Sequence, residues 1–261
     1  MRLFRFWLVV LVCVLVPASA RAADTEKVPI RGQGVAVTIY APKGQPRGTL
    51  IMASGDVGWV GLAVSLAEEF SAQGYLVAGL NTRQYLSSFT SGRSHLETAD
   101  EPADYKLIAD YLRARGQLVH PVIVSGVSEG AALAVLAASD AKNHGWIDGV
   151  ITMGLPASAE LAWRWTDAAS WITKRDASEP SFAPADVIAR ISPLPLYMIQ
   201  STKDEYVPPG DYERFRALAR QPSRLVLIDA SNHRFTDRRA ELDAAFVNGL
   251  AWIVQRRAAT P

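Results

Sequence analysis

The segment Gly126-Val127-Ser128-Glu129-Gly130 sets a serine between two glycines at the spacing G-x-S-x-G. Composition alone produces that spacing in about one chain in ten, so its weight comes from its setting: an apolar run precedes it and an alanine-rich run follows. A strand turning sharply into a helix there would lift Ser128 above the sheet, the glycines allowing the backbone to close up on either side. A serine hydroxyl is a weak nucleophile at neutral pH. It needs a base within hydrogen-bond reach and a third group to orient that base. His95, His120 and His144 stand in polar loop or turn contexts and read as solvated surface residues. His233, in Asp229-Ala230-Ser231-Asn232-His233-Arg234-Phe235, follows the last apolar run and reads as the base. Asp204, in Ser201-Thr202-Lys203-Asp204-Glu205-Tyr206-Val207-Pro208, follows the run before it and reads as the acid, with Glu205 and Asp229 as rivals. The chemistry of such a set is acyl transfer from an ester, and its tetrahedral oxyanion requires two backbone N–H donors. Those of Asp56 and Glu129 are expected to supply them, with Gly55, Trp59, Trp163 and Trp165 as substrate-contacting residues. No metal or organic cofactor is implied.

These residues need a scaffold that brings three distant segments to one edge. Short β-branched runs alternate with amphipathic stretches, the pattern of an α/β domain with a largely parallel sheet and helices on both faces. The spacing predicts an antiparallel strand at 35–40, buried strands at 49–53 and 121–125, and further strands at 75–80, 149–154, 196–200 and 225–228. Helices are predicted at 62–73, 103–115, 131–138 and 242–254, and 81–92 reads as a polar loop. Sites in open α/β sheets collect at the carboxyl ends of the strands, where Asp56, Ser128, Asp204 and His233 all fall. The stretch 156–193 is too long for an ordinary connection and carries Trp163, Trp165 and Trp171, so it reads as a small helical cap or lid.

At the amino end, Arg2 and Arg5 precede eleven apolar residues, 6–16, then Pro17 and small residues. That is the layout of a secretory signal peptide over 1–22, too short to span a bilayer as a helix, leaving a domain over 23–261. The only cysteine, Cys13, lies inside it, so the exported domain would hold no disulfide. The full chain of 261 residues carries 27 Lys and Arg against 26 Asp and Glu; without Arg2, Arg5 and Arg21 the balance is 24 against 26, a net charge of −2. A field that weak gives no reason to expect nucleic-acid binding.

The serine, acid and histidine segments, in that chain order, resemble those of the α/β-hydrolase superfamily. The loop Ser54-Gly55-Asp56-Val57-Gly58-Trp59, with the leader, resembles the bacterial AcvB/VirJ group. That group's usual loop has glycine where Val57 stands, and an aromatic residue is common at the place of Glu129. The resemblance implies a periplasmic enzyme hydrolysing aminoacylated phosphatidylglycerol, chiefly the lysyl ester, with contact to a membrane surface. Asp56 and Glu129 would then act as counter-charges to the substrate's ammonium. A dienelactone-hydrolase-like esterase and a non-catalytic periplasmic binding or chaperone-like protein are the alternative readings.

Overall fold

In the computed structural model, which describes residues 23–92, 94–164 and 179–258, the chain enters through a hairpin of β1 (Asp24–Ile30) and β2 (Gln33–Tyr40). Only Val28 and Ile30 of β1 are buried, too few to mark a strand in the sequence. There follow β3 (Thr49–Ala53), β4 (Leu76–Leu80), β5 (Val122–Val127), β6 (Gly149–Met153), the two-residue strands β7 (Ala159–Glu160) and β8 (Ser181–Phe182), β9 (Leu196–Ser201) and β10 (Ser223–Ile228). Eight strands join one sheet in the order β1-β2-β4-β3-β5-β6-β9-β10, parallel throughout apart from the leading hairpin. β7 and β8 pair with each other outside it.

Strands β3 to β6 are buried at every position, which is why they read as unbroken apolar runs: a parallel strand is covered on both faces. Leu50 and Met52 point into one layer, with Leu66 and Phe70 of α1 (Leu62–Ala72) and Phe246 of the last helix, Arg239–Ala258. Phe70 and Phe246 bring their rings to 4.2 Å between centroids. Ile51 and Ala53 point into the other layer, with Tyr85 of α2 (Thr82–Phe89), Ile108 of α3 (Asp100–Ala114) and Leu133 of α4 (Glu129–Ser139). α5 (Pro209–Leu218) adds Tyr212 and Phe215 to that layer, and Arg239–Ala258 is α6. Strand order and helices on both faces are those of the α/β-hydrolase fold.

Two helices were not legible. The segment read as a polar loop at 81–92 contains α2, started by the Asn81 side chain accepting the Gln84 N–H at 3.1 Å. Three of its eight residues are buried, so its polar face dominates the pattern. α5 is hidden in the same way, with two buried residues in ten. Within the stretch expected to form a cap, the described flanks are the β7–β8 pair and two 3-10 turns whose Val187, Ile188 and Ile191 join the core. Trp165 and Trp171 lie outside the described residues.

Helix α3 carries two fully buried carboxyls. Asp104 is met by the Tyr85 hydroxyl at 2.7 Å and by two Arg31 nitrogens at 3.0 and 2.8 Å. Neither oxygen of Glu101 has a hydrogen-bond partner among the described residues, and burial pushes this carboxyl well above its usual range, aided by the nearby Asp104. An acid that holds its proton more tightly folded than unfolded costs stability as pH rises above its ordinary value. Glu101→Gln should therefore raise Tm more at pH 8 than at pH 5. Melts showing the same change at both pH values would assign the effect to packing instead.

Candidate active site

The chain leaves β5 through a turn that only glycine permits on either side. A Cβ on Gly126 would fall 2.0 Å from the Gly130 carbonyl oxygen, and one on Gly130 would fall 2.4 Å from the carbonyl oxygens of Ala53 and Ser54. Between them Ser128 sits at φ 54° and ψ −123°, a conformation costing a non-glycine residue about 1–3 kcal/mol and characteristic of functional turns. The Ser128 N–H donates to the Met153 carbonyl at 2.9 Å, fastening the turn to the end of β6.

Met153 is followed by Gly154, and against Gly154 lies the His233 ring: a Cβ there would fall 2.6 Å from the ring carbon Cε1 and 3.3 Å from Nε2. The histidine and the serine are thus both anchored at the end of β6, with no hydrogen bond between them. Nδ1 of His233 lies 2.6 Å from Asp204 Oδ2, and the Asp204 side chain is wholly buried. Its other oxygen accepts the N–H groups of Tyr206 and Val207 at 2.9 and 3.0 Å, so the carboxylate is fully engaged and fixed. Nε2 of His233 is buried and has no hydrogen-bond partner among the described residues. The Tyr206 ring meets the imidazole edge-on at 5.4 Å between centroids.

The two rival acids have other work. Glu205 accepts the His233 backbone N–H at 2.8 Å, holding the loop that carries the base. Asp229 is exposed and bound to Lys203 and Thr202, each at 2.9 Å. The three other histidines are also occupied elsewhere: His95 with Glu97, His120 with Asp148 and His144 with the Ala138 carbonyl.

Gly154 was missed in the sequence, although a glycine at the carboxyl end of a buried strand was the available signal. It stands at φ +61°, where a side chain is strained, and has no room beside the imidazole. Gly154→Ala should push the ring aside and lower kcat on the order of 10²-fold with the fold intact, a misplacement of about 1 Å being enough. Ester turnover followed alongside circular dichroism checks this; an unchanged kcat would show that the ring tolerates displacement.

The loop after β3 comes up against Ser128, since a Cβ on Gly55 would lie 3.4 Å from Ser128 Cβ. Its root is locked to α2: the Thr82 hydroxyl donates to the Ser54 carbonyl at 2.6 Å, and the Thr82 N–H donates to the Ser54 hydroxyl at 3.1 Å. Gly58, at φ +94°, closes the turn by donating its N–H to the Gly55 carbonyl at 3.0 Å. Val57 is not in the left-handed region, so the departure from glycine costs no backbone strain there. The backbone N–H groups of Asp56 and Glu129 donate to no acceptor among the described residues, as an oxyanion hole requires.

The side chains expected to meet substrate are distributed unevenly. Gly55 is at the nucleophile. Trp59 packs its indole against Gly79, where a Cβ would fall 2.2 Å from the ring, and donates its N–H to the Tyr40 hydroxyl at 3.0 Å. Trp163 is buried in the core with the Arg83 guanidinium 5.0 Å from its ring centroid. Both tryptophans are taken up by packing, which the count of aromatics alone does not distinguish from binding.

Asp56 accepts the N–H of its own neighbour Val57 at 2.9 Å, and Glu129 accepts the backbone N–H of Glu160 on β7. Glu129 is half-buried and its carboxyl is pushed up to about 8. Burial is the main cause; the Glu160 N–H opposes it, and the charges of Glu160 and Asp56 add to it.

Comparison with known proteins agrees with the fold. Solved structures with the same fold include a candidate dienelactone hydrolase from Klebsiella pneumoniae, with a TM-score of 0.66 and 17% identity over 90% of this chain and 98% of that one. A lidless α/β serine hydrolase from Xanthomonas campestris gives 0.57 and 20% identity over 90% and 95%. Est1E from Butyrivibrio proteoclasticus gives 0.63 and 13% over 90% and 100%. The uncharacterized protein YfhR of Escherichia coli is 33% identical over 66 residues; the match spans 24% of this chain and less than a quarter of that protein, 23%. The family model described as bacterial virulence protein (VirJ) matches residues 48–247, a span holding the serine turn, the acid, the base and the loop after β3, and the chain belongs to that family.

Proposed function

We propose that the protein is an exported serine hydrolase that cleaves carboxylic esters through an acyl-enzyme. One observation carries this reading: a buried Asp204–His233 pair whose remaining imidazole nitrogen is unpartnered, set against the same strand end that holds the strained Ser128 turn. In the reaction, His233 Nε2 takes the Ser128 proton as Oγ bonds to the ester carbonyl carbon. The carbonyl oxygen becomes an oxyanion received by the N–H groups of Asp56 and Glu129. Collapse breaks the bond to the alcohol oxygen, which leaves with the proton from His233. A water then repeats the sequence on the acyl-serine, releasing the acid and restoring the hydroxyl. Asp204 holds the imidazole's orientation and stabilises its charged form.

The finer reading is an aminoacyl ester of phosphatidylglycerol, met in the periplasm. It rests on the family, on the leader expected at 1–22, and on the carboxyl groups of Asp56, Glu129 and Glu160 gathered about the residue after the serine, which suit an acyl group bearing an ammonium. Val57, Val60 and Tyr206, exposed on the loops beside the site, suit a lipid surface. The test is incubation of the mature protein with a fluorophosphonate probe and with a panel of neutral, anionic and aminoacyl lipid esters, products being resolved by mass. Labelling together with release of an amino acid from the aminoacyl lipid is expected. Absence of labelling would favour a non-catalytic binding or chaperone-like protein, and turnover of soluble esters alone would favour a dienelactone-hydrolase-like esterase.

A further inference from the structure

Glu129 occupies an unusual place for a carboxyl. Its backbone N–H is one of the two donors open to the oxyanion, while its side chain turns back to accept the Glu160 N–H. The charged groups acting on it are Asp56, from the loop after β3, and Glu160, from β7, and both are acids. No lysine or arginine is paired with Glu129 among the described residues. Ser128, the residue before Glu129, is fastened to Met153, and on the next residue, Gly154, rests the His233 ring with its buried and unpartnered Nε2. An ionised Glu129 would place negative charge beside the position where the oxyanion grows, opposing that charge through a poorly screened medium. An ammonium on the acyl group would offset it.

We propose that the Glu129 side chain makes the site discriminate by acyl charge: uncharged acyl esters react only while Glu129 keeps its proton, whereas an acyl group bearing an ammonium reacts with Glu129 ionised. The proposal rests on the serine-hydrolase reading. It gives the carboxyl a role distinct from both a permanent counter-charge and a helix-end acid, because the residue changes form with its substrate. Its proton is held up to about pH 8, so both forms are populated on either side of that value.

The test compares a heptanoyl ester with the ε-aminocaproyl ester of the same alcohol, whose ammonium replaces the terminal methyl group and remains charged to about pH 10. For the wild type, kcat/KM on the heptanoyl ester should fall about tenfold per pH unit above pH 8.5, while the ε-aminocaproyl ester keeps its rate to pH 9.5. Glu129→Gln should abolish the alkaline fall for the heptanoyl ester and with it the growing preference for the charged one. Asp56→Asn removes a charge that raises the Glu129 value, so the fall should move to lower pH; this arm stands if the Gln variant does not fold. Parallel profiles for both esters in the wild type, a fall that persists in Glu129→Gln, or one that stays in place in Asp56→Asn would overturn the proposal. A wild type that neither labels with fluorophosphonate nor turns over either ester would overturn the hydrolase reading, and this proposal with it.

Discussion

Ser128→Ala is expected to lower kcat on the order of 10⁴ to 10⁶-fold and to abolish fluorophosphonate labelling while leaving the fold unchanged. The size follows from what remains. Oxyanion donors and binding contacts survive the substitution, but no covalent intermediate can form, and the unpartnered His233 Nε2 has no proton to take. The fold is expected to survive because alanine removes one oxygen at a half-buried position whose hydroxyl caps nothing on α4. Alanine at φ 54° bears the same backbone strain as serine, so melting temperatures should agree within a few degrees. Turnover at the wild-type rate would end the assignment of the nucleophile.

The second large effect separates two neighbours. His233→Ala should approach the serine variant, and Asp204→Asn should cost on the order of 10³ to 10⁴ in kcat, since the base remains but the amide no longer holds the required tautomer or stabilises the imidazolium. Glu205→Gln should cost no more than severalfold, because an amide oxygen can still accept the His233 N–H that Glu205 holds. Measured on a soluble ester, kcat should thus split adjacent carboxyls by at least a hundredfold. A crippled Glu205→Gln beside a healthy Asp204→Asn would move the acid by one residue.

Much of this site was legible because its chemistry dictates residue types as well as positions. The glycines around Ser128 are forced by contacts under 3 Å, and forced residues leave a signature in sequence. Asp204 was found through the end of β9, which burial on both faces renders as a plain apolar run, and His233 through the end of the edge strand β10, whose Leu225 to Ile228 stay apolar although only Ile228 is buried. What escaped notice depends on contacts between distant segments. Nothing local in Thr82 announces that it clamps Ser54, nothing in Gly154 that a ring rests on it, and nothing in Glu205 that it holds a backbone thirty residues away in a different loop. Trp59 and Trp163 pose the opposite difficulty, since an aromatic needed for packing and one needed for binding look alike until the neighbours are known. The helix α2 was lost because it is short and mostly polar: its three buried residues fall at helical spacing, but among eight residues they leave a segment that reads as a loop by composition.

The loop after β3 offers an experimental handle. Val57 lies one residue from an expected oxyanion donor, is exposed, and has a backbone conformation that accepts any side chain. The sole cysteine is Cys13, so a chain beginning at residue 23 and carrying Val57→Cys would hold a single thiol for site-specific attachment of an environment-sensitive dye. A fluorophore tethered there would report occupancy of the mouth of the site in real time, independently of turnover, and would register vesicle approach and soluble ester binding as different spectral shifts.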